Sequence, residues 1–308
     1  MTDALPATPP PPINPADETG TVRLGLPKGR MQKAVNELLS EAGIHVREDP
    51  RGYRPDLSLP GFEVKLLKPQ NIVRMLHHGS RDLGFAGADW VVESGANLVE
   101  LLDTGLDPVR LVAAAPPDRL HDGRLMAPDD QGDNLIIASE YESVTRQWIE
   151  RCELPAEFVR SYGATEVFPP EDADCIVDNT ATGATLRENG LVIFDELMRS
   201  STRLYANPQV LEDGPRREAI DRFVVLVRSV LEARQRVMLE VNVGADQLES
   251  LINALPSMRE PTVSPLHGES GYAVKSAVPR ARLPQVIPAL KACGGTDIIV
   301  SPVGQIVP

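Results

Sequence analysis

Apolar residues recur along this chain with two alternating periods, one suited to strands and the other to helices. Val22-Arg23-Leu24-Gly25-Leu26 reads as a short strand, and Met31, Ala34, Val35, Leu38, Leu39 and Ala42 then share one helical face that Gly43 stops. The same alternation predicts a strand over Phe62–Leu67, a helix over Pro69–His78, a strand over Asp82–Ala86 and a helix near Asp89–Ser94. After Leu101–Asp103 come a strand over Arg110–Ala115, a loop over 116–133 rich in Pro, Asp and Gly, and a strand over Asn134–Ala138. A helix over Ser143–Cys152 and a strand over Phe158–Arg160 follow. Arg203–Ala206 reads as a later strand, and Gln209 to Arg234 as a long helical stretch. Repeated strand–helix units imply an α/β fold, a mainly parallel sheet covered on both faces with ligands near the carboxyl ends of strands. The order predicts two lobes, 21–106 with 202–234 and 107–201, the second inserted into the first.

The last segment, 235–308, has a different rhythm. Strands over Val237–Val243, Pro261–Leu266, Tyr272–Val278 and Asp297–Ser301 are interleaved with helices over Asp246–Leu255 and Arg282–Cys293. That order is β-α-β-β-α-β, a ferredoxin-like unit, and it carries no catalytic constellation. A regulatory or assembly role fits it. At the other end, residues 1–20 are rich in proline and lack aliphatic periodicity, so a disordered tail is expected there.

Composition narrows the class. With 42% hydrophobic and 24% charged residues, the chain reads as an ordinary soluble globular protein. No apolar run approaches the roughly 20 residues needed to cross a bilayer, and no secretion signal opens the chain, so a cytoplasmic location is expected. The formal net charge of -13 argues against a nucleic-acid partner, which usually requires a basic face. Cys152, Cys175 and Cys293 stand far apart and offer neither disulfide nor metal spacing.

The segment Asp174-Cys175-Ile176-Val177-Asp178-Asn179-Thr180-Ala181-Thr182-Gly183-Ala184-Thr185-Leu186 carries the clearest chemistry. It reads as a buried strand ending in an acid, then a loop of hydroxyls around one glycine, then a helix start. Such a loop can hold the phosphate of a sugar phosphate while the acid holds ribose hydroxyls. The turn Pro27-Lys28-Gly29-Arg30 sets two cations at a helix start, for a nucleotide contact or as a solvated charge pair. Lys68, before a helix with Pro in its first turn, faces either a cleft or solvent. Gly87 lets a ligand approach backbone or only permits a turn. Glu166, on a helix expected to start near Gly163, reaches a ribose or a metal, or lies exposed. Asp89 and Glu93 read as a wet helix face rather than a catalytic pair. The five histidines have no metal-ligand spacing, and no metal-ligand set is assigned.

Taken together, these segments resemble the long form of ATP phosphoribosyltransferase over about 21–308. The matching stretches are LGLPKGRMQKAVNELLSEAGI (24–44), DLGFAGADWVVESGANLVELLDTG (82–105), CIVDNTATGATLRENGLV (175–192), SSTRLYANP (200–208), EPTVSPL (260–266) and DIIVSPVGQIV (297–307). The resemblance implies two catalytic lobes like periplasmic binding proteins, followed by the ferredoxin-like regulatory domain. It implies ATP and phosphoribosyl pyrophosphate as substrates, Mg²⁺ as cofactor, histidine as feedback inhibitor, and a homohexamer in equilibrium with dimers. It further implies that Asp178 to Leu186 hold the 5-phosphate and ribose, that Glu166 lies near that ribose, that Lys28 and Gly29 line the nucleotide cleft, and that Lys28 and Asp178 are the catalytic residues. Thr262, and more weakly Glu240, would contact histidine.

The implied chemistry is attack of adenine N1 on C1 of the sugar, with inversion and departure of pyrophosphate. N1 carries no proton before attack, so no strong general base is needed, and the lack of a histidine pattern is consistent with it. The chain departs from the family pattern at Lys68-Pro69-Gln70-Asn71, where an arginine and an acid are usual, at the polar Asn179-Thr180, and at Gly105-Leu106-Asp107. Two other readings remain open: a non-catalytic relative binding histidine or nucleotide, and a phosphoribosyltransferase with another acceptor.

Overall fold

The computed structural model describes residues 20–47, 52–126 and 134–307. The expected N-terminal tail, apart from Gly20, and the end of the 116–133 loop lie outside the described residues. The chain forms two compact units, one drawn from 1–37 and 45–220, the other from 38–44 and 221–308.

In chain order the first part comprises β1 (Val22–Pro27), α1 (Arg30–Glu41), β2 (Val46–Arg47), β3 (Asp56–Leu57), β4 (Phe62–Leu67), α2 (Pro69–His77), β5 (Leu83–Gly87), α3 (Ala88–Ser94) and β6 (Val99–Ala115). There follow β7 (Leu120–His121), β8 (Arg124–Leu125), β9 (Leu135–Ser139), α4 (Glu142–Arg151), β10 (Ala156–Arg160), β11 (Cys175–Thr180), α5 (Ala184–Glu188), β12 (Val192–Ala206) and α6 (Gly214–Arg234). An eight-stranded sheet has the order β10-β9-β11-β6-β12-β5-β1-β4. Its two halves repeat one design. β4-β1-β5 and β10-β9-β11 are each parallel triplets in the order second, first, third, and each is closed by an antiparallel long strand.

Those long strands differ from the expected pattern. Instead of short strands over Arg110–Ala115 and Arg203–Ala206, β6 and β12 run 17 and 15 residues through both halves and pair with each other. Their ladder is irregular between Ser200 and Arg203, opposite Gly105 and Asp107, which take φ of 64° and 46°. Glu166 also differs, sitting in a single 3₁₀ turn, Thr165–Val167, rather than a helix.

The parallel strands read as near-continuous apolar runs because both faces are covered. All five residues of β5 are buried, as are Leu24 and Leu26 of β1, Ile137 of β9 and Cys175–Val177 of β11. Each fully buried Leu, Val or Phe contributes about 1.5–3 kcal/mol. The carboxyl ends of β1, β5, β9 and β11 are therefore anchored, and the loops leaving them are held in place.

The second unit contains β13 (Arg236–Val243), α7 (Leu248–Ala254), β14 (Thr262–Pro265), β15 (Tyr272–Pro279), α8 (Leu283–Ala292) and β16 (Thr296–Pro302). Its sheet order, β14-β15-β13-β16, is antiparallel throughout, as a ferredoxin-like βαββαβ fold requires. Val237, Leu239, Val241, Val274, Leu251 and Leu290 form its core.

Candidate active site

β11 continues two residues past Asp178 before the loop begins, so Asp178, Asn179 and Thr180 still pair with Val112, Leu111 and Arg110 of β6. The acid therefore projects from rigid strand rather than from a flexible end. Beyond it, Gly183 takes φ 74° as the N-cap of α5, a helix of only five residues. Thr180 Oγ1 accepts the Gly183 N–H at 2.8 Å, and Thr182 Oγ1 accepts the Ala184 N–H at 3.3 Å. Arg187 clasps the loop by donating to the Thr182 carbonyl at 3.0 Å. A cavity of about 330 Å³ is lined by Arg30, Glu166, Asp178 to Thr182, and Ala184 to Leu186. The structure thus brings Glu166 and nearly the whole predicted loop together; Gly183 lies behind the wall, buried.

A second cavity of about 230 Å³ adjoins the first, sharing Arg30 and Asn179 in its wall. Lys28, Gln70, Gly87, Asp89, Glu140, Tyr141 and Ser200 also line it. Of the predicted nucleotide residues, Lys28, Arg30 and Gly87 reach this cavity. Pro27, buried at the end of β1, and Gly29 and Lys68, exposed beside it, do not line it. Lys28 is steered by Tyr53, whose ring centroid lies 4.3 Å from Nζ and whose hydroxyl is 3.2 Å away.

Asp89 corrects the sequence expectation of a wet face. It is 5% exposed, with Oδ2 accepting the Tyr141 hydroxyl at 2.7 Å and Oδ1 accepting Ser200 Oγ at 2.8 Å. Gly87 is what makes room: a Cβ there would collide with Asp89 Oδ1. Glu93 is also occupied, its two oxygens each accepting a main-chain N–H, from Ser143 and Val144 at 3.1 Å, at the start of α4. Asp89 and Tyr141 carried no motif. What could have pointed to Asp89 is the duplicated strand order, since β5 and β11 are the third strands of the two triplets and Asp89 follows the end of β5 closely.

The electrostatics set the two sides apart. Burial pushes the Asp178 carboxyl up to about 6, with Glu166 and Glu140 adding repulsion and the Asn179 N–H opposing them. Burial, and then the Asp89 charge, hold the Tyr141 phenol far above its ordinary value, so it stays a hydroxyl donor. Among the described residues no group of three His, Cys, Asp or Glu side chains is arranged to hold a metal ion.

In the second unit, Glu240, Lys275 and Thr262 stand side by side on β13, β15 and β14. Lys275 Nζ lies 2.6 Å from Glu240 Oε1. Thr262 and Lys275, but not Glu240, line a cavity of about 310 Å³ with Met238, Met258, Arg259 and Ser276.

The family model described as ATP phosphoribosyltransferase matches residues 68–229, and the one described as HisG, C-terminal domain, matches 233–305. The ATP phosphoribosyltransferase of Pelotomaculum thermopropionicum is 36% identical over 93% of this chain and 99% of its own. That of Chlorobaculum parvum is 32% identical over 95% and 99%. This chain belongs to the ATP phosphoribosyltransferase family. The C-terminal match identifies the long form. Among solved structures, a chain of the ATP phosphoribosyl transferase (HisG:HisZ) complex from Thermotoga maritima superposes with a TM-score of 0.60 at 26% identity, over 69% of this chain and 99% of that one.

For this family the paired cavities have a direct chemical sense. A transfer between two bulky anions needs both held at one place, and the two cavities share Arg30 and Asn179 in their walls. Lys275 is the residue that sequence reasoning did not mark in the second unit; its position opposite both Glu240 and Thr262 becomes visible only through strand register.

Proposed function

We propose that the chain condenses ATP with 5-phosphoribosyl 1-pyrophosphate to give N1-(5-phosphoribosyl)-ATP and pyrophosphate, the first step of L-histidine biosynthesis. The observation that carries this reading is the junction of the two cavities, with the Asp178–Leu186 loop on one side and Lys28, Gly87 and Gln70 on the other. The loop hydroxyls and amides receive the sugar's 5-phosphate, whose oxygens take over the N–H groups now bound by Thr180 and Thr182. Asp178, ionised, accepts hydrogen bonds from the ribose hydroxyls, and Glu166 lies beside them. Adenine enters the second cavity with N1 directed across the junction toward C1. Lys28 and Arg30 offer charge to the departing pyrophosphate, where negative charge develops in the transition state.

Mg²⁺ fits this site as a cation carried by the pyrophosphate. Magnesium usually keeps several waters and takes only one or two protein carboxylates besides substrate phosphates, and Asp178 with Glu166 supplies that number. The repulsion between these two carboxylates is the feature a cation would relieve. When bound, the ion would neutralise the leaving pyrophosphate. Thr262 and Lys275, with Glu240 next to them, are the proposed histidine contacts, and the ferredoxin-like unit is the proposed regulatory domain. We also propose a cytoplasmic homo-oligomer, a dimer or hexamer. The deciding assay mixes ATP, phosphoribosyl pyrophosphate and Mg²⁺ with folded protein and follows the new ultraviolet absorbance of an N1-substituted adenine. Absence of that signal would remove the reading.

A further inference from the structure

Four side chains from separate elements meet in the wall of the nucleotide-side cavity: Asp89 in the first turn of α3, Tyr141 just ahead of α4, Asn179 in β11 and Ser200 in β12. Both Asp89 oxygens are engaged, one by Ser200 Oγ and the other by the Tyr141 hydroxyl. That hydroxyl also accepts from Asn179 Nδ2 at 3.0 Å. The main-chain N–H of Asn179 then donates to Asp178 Oδ1 at 2.7 Å. Trp90 stacks on the Tyr141 ring with centroids 4.5 Å apart, so the hydroxyl is fixed from behind as well. Hydrogen bonds joined through the covalent frame of Asn179 thus link Asp89, on the nucleotide side, to the Asp178 carboxylate on the sugar side.

We propose that Asp89, Tyr141 and Asn179 are positioning residues that couple nucleotide occupancy of one cavity to the aim of the Asp178 carboxylate in the other. The inference rests on the reading of the two cavities given above. Tyr141 is fully buried and Asp89 nearly so, and buried hydrogen bonds between desolvated groups tolerate little misalignment. A nucleotide against the Trp90–Tyr141 wall shifts the hydroxyl, the Asn179 side-chain amide follows it, and a small tilt of the Asn179 backbone within its pairing to β6 changes how the N–H holds Asp178 Oδ1. Such coupling is a free energy shared by two sites and acts equally in both directions. Asn179 is the link on which the relay depends, because an aliphatic side chain there could not donate to Tyr141.

The test is calorimetry on the full chain with Mg²⁺. Phosphoribosyl pyrophosphate is titrated with and without saturating 1-deaza-ATP, a nucleotide that lacks the attacking nitrogen, and the reverse titration is run. The unaltered chain should show each ligand tightening the other by about 5-fold or more. Tyr141→Phe and Asn179→Ala should bring that factor close to one, and the double variant should lose nothing beyond either single change. Thermal midpoints are recorded alongside, because a purely structural role lowers the midpoint and leaves the coupling factor intact. Should Tyr141→Phe fail to fold, the half-buried Asn179→Ala carries the test alone. An unchanged factor in the variants overturns the relay, as does binding of both ligands to the unaltered chain without coupling. If neither ligand binds the unaltered chain, the reading of the cavities falls first and the relay with it.

Discussion

Asp178 joins two opposed requirements in a single carboxyl. Burial and its acidic neighbours raise it to about 6, yet the proposed grip on ribose hydroxyls calls for the ionised form. The folded value lies above the unfolded 3.8, so the contribution to stability is full below about pH 4 and is lost as pH rises through 6. Its size is about 2–3 kcal/mol. Denaturant titrations of the ligand-free chain should therefore show Asp178→Asn removing a decline in stability between those values. A slope equal in both proteins would refute the assignment. Substrate binding should run the other way, phosphoribosyl pyrophosphate affinity weakening as pH falls below about 6. Asp178→Ala should cost about 10- to 100-fold in that affinity, the worth of a hydrogen bond to a charged group, with the fold intact. Unchanged binding would sink the loop assignment.

Single turns between strand and helix carry the next level of constraint. Gly87→Ala would drive a methyl into the Asp89 carboxylate and break its two buried hydrogen bonds, at a cost of about 2–4 kcal/mol. Gly183→Ala faces φ 74° and contacts at 3.0 Å with Ile193 Cδ1 and Arg187 Nη1. It should lose about 1–2 kcal/mol and weaken sugar-phosphate binding more than nucleotide binding. Chemical denaturation and paired titrations check both, and a neutral Gly87→Ala would mean that Asp89 does not turn back on its own strand. These turns were partly legible in the sequence. The apolar run of β4 matched Phe62–Leu67 to the residue, and the loop after β11 declared itself through its hydroxyls. The long strands were not legible, because Asp103, Thr104, Gly105, Asp107 and Pro108 are turn formers that interrupt the strand period of β6. The strand survives through bonds that no local pattern encodes: Thr104 Oγ1 donates to the Thr202 carbonyl at 2.6 Å, and Ser201 Oγ donates to Asp103 at 2.7 Å. Asp89 escaped for a similar reason, since its partners lie 52 and 111 residues away.

At the scale of the whole molecule, the proposed chemistry and the proposed control fall in different units. Chelation with EDTA should abolish turnover while leaving the thermal midpoint of the ligand-free chain in place, as a substrate-borne cation requires; a large fall would point to a resident structural metal. Thr262→Ala or Lys275→Ala should weaken inhibition by histidine about tenfold, the loss of one good hydrogen bond, and superimposable inhibition curves would remove that site. The two long strands also have a consequence for how the chain is made. β5 leaves the ribosome with one edge open, and its neighbour β12 is not complete until Ala206, more than a hundred residues later. The first triplet therefore waits, with an exposed edge that invites wrong partners, while the second triplet is synthesised. Contacts of such long sequence separation form slowly. Nascent chains stopped before Val192 should be captured by chaperones far more often than chains released after Ala206.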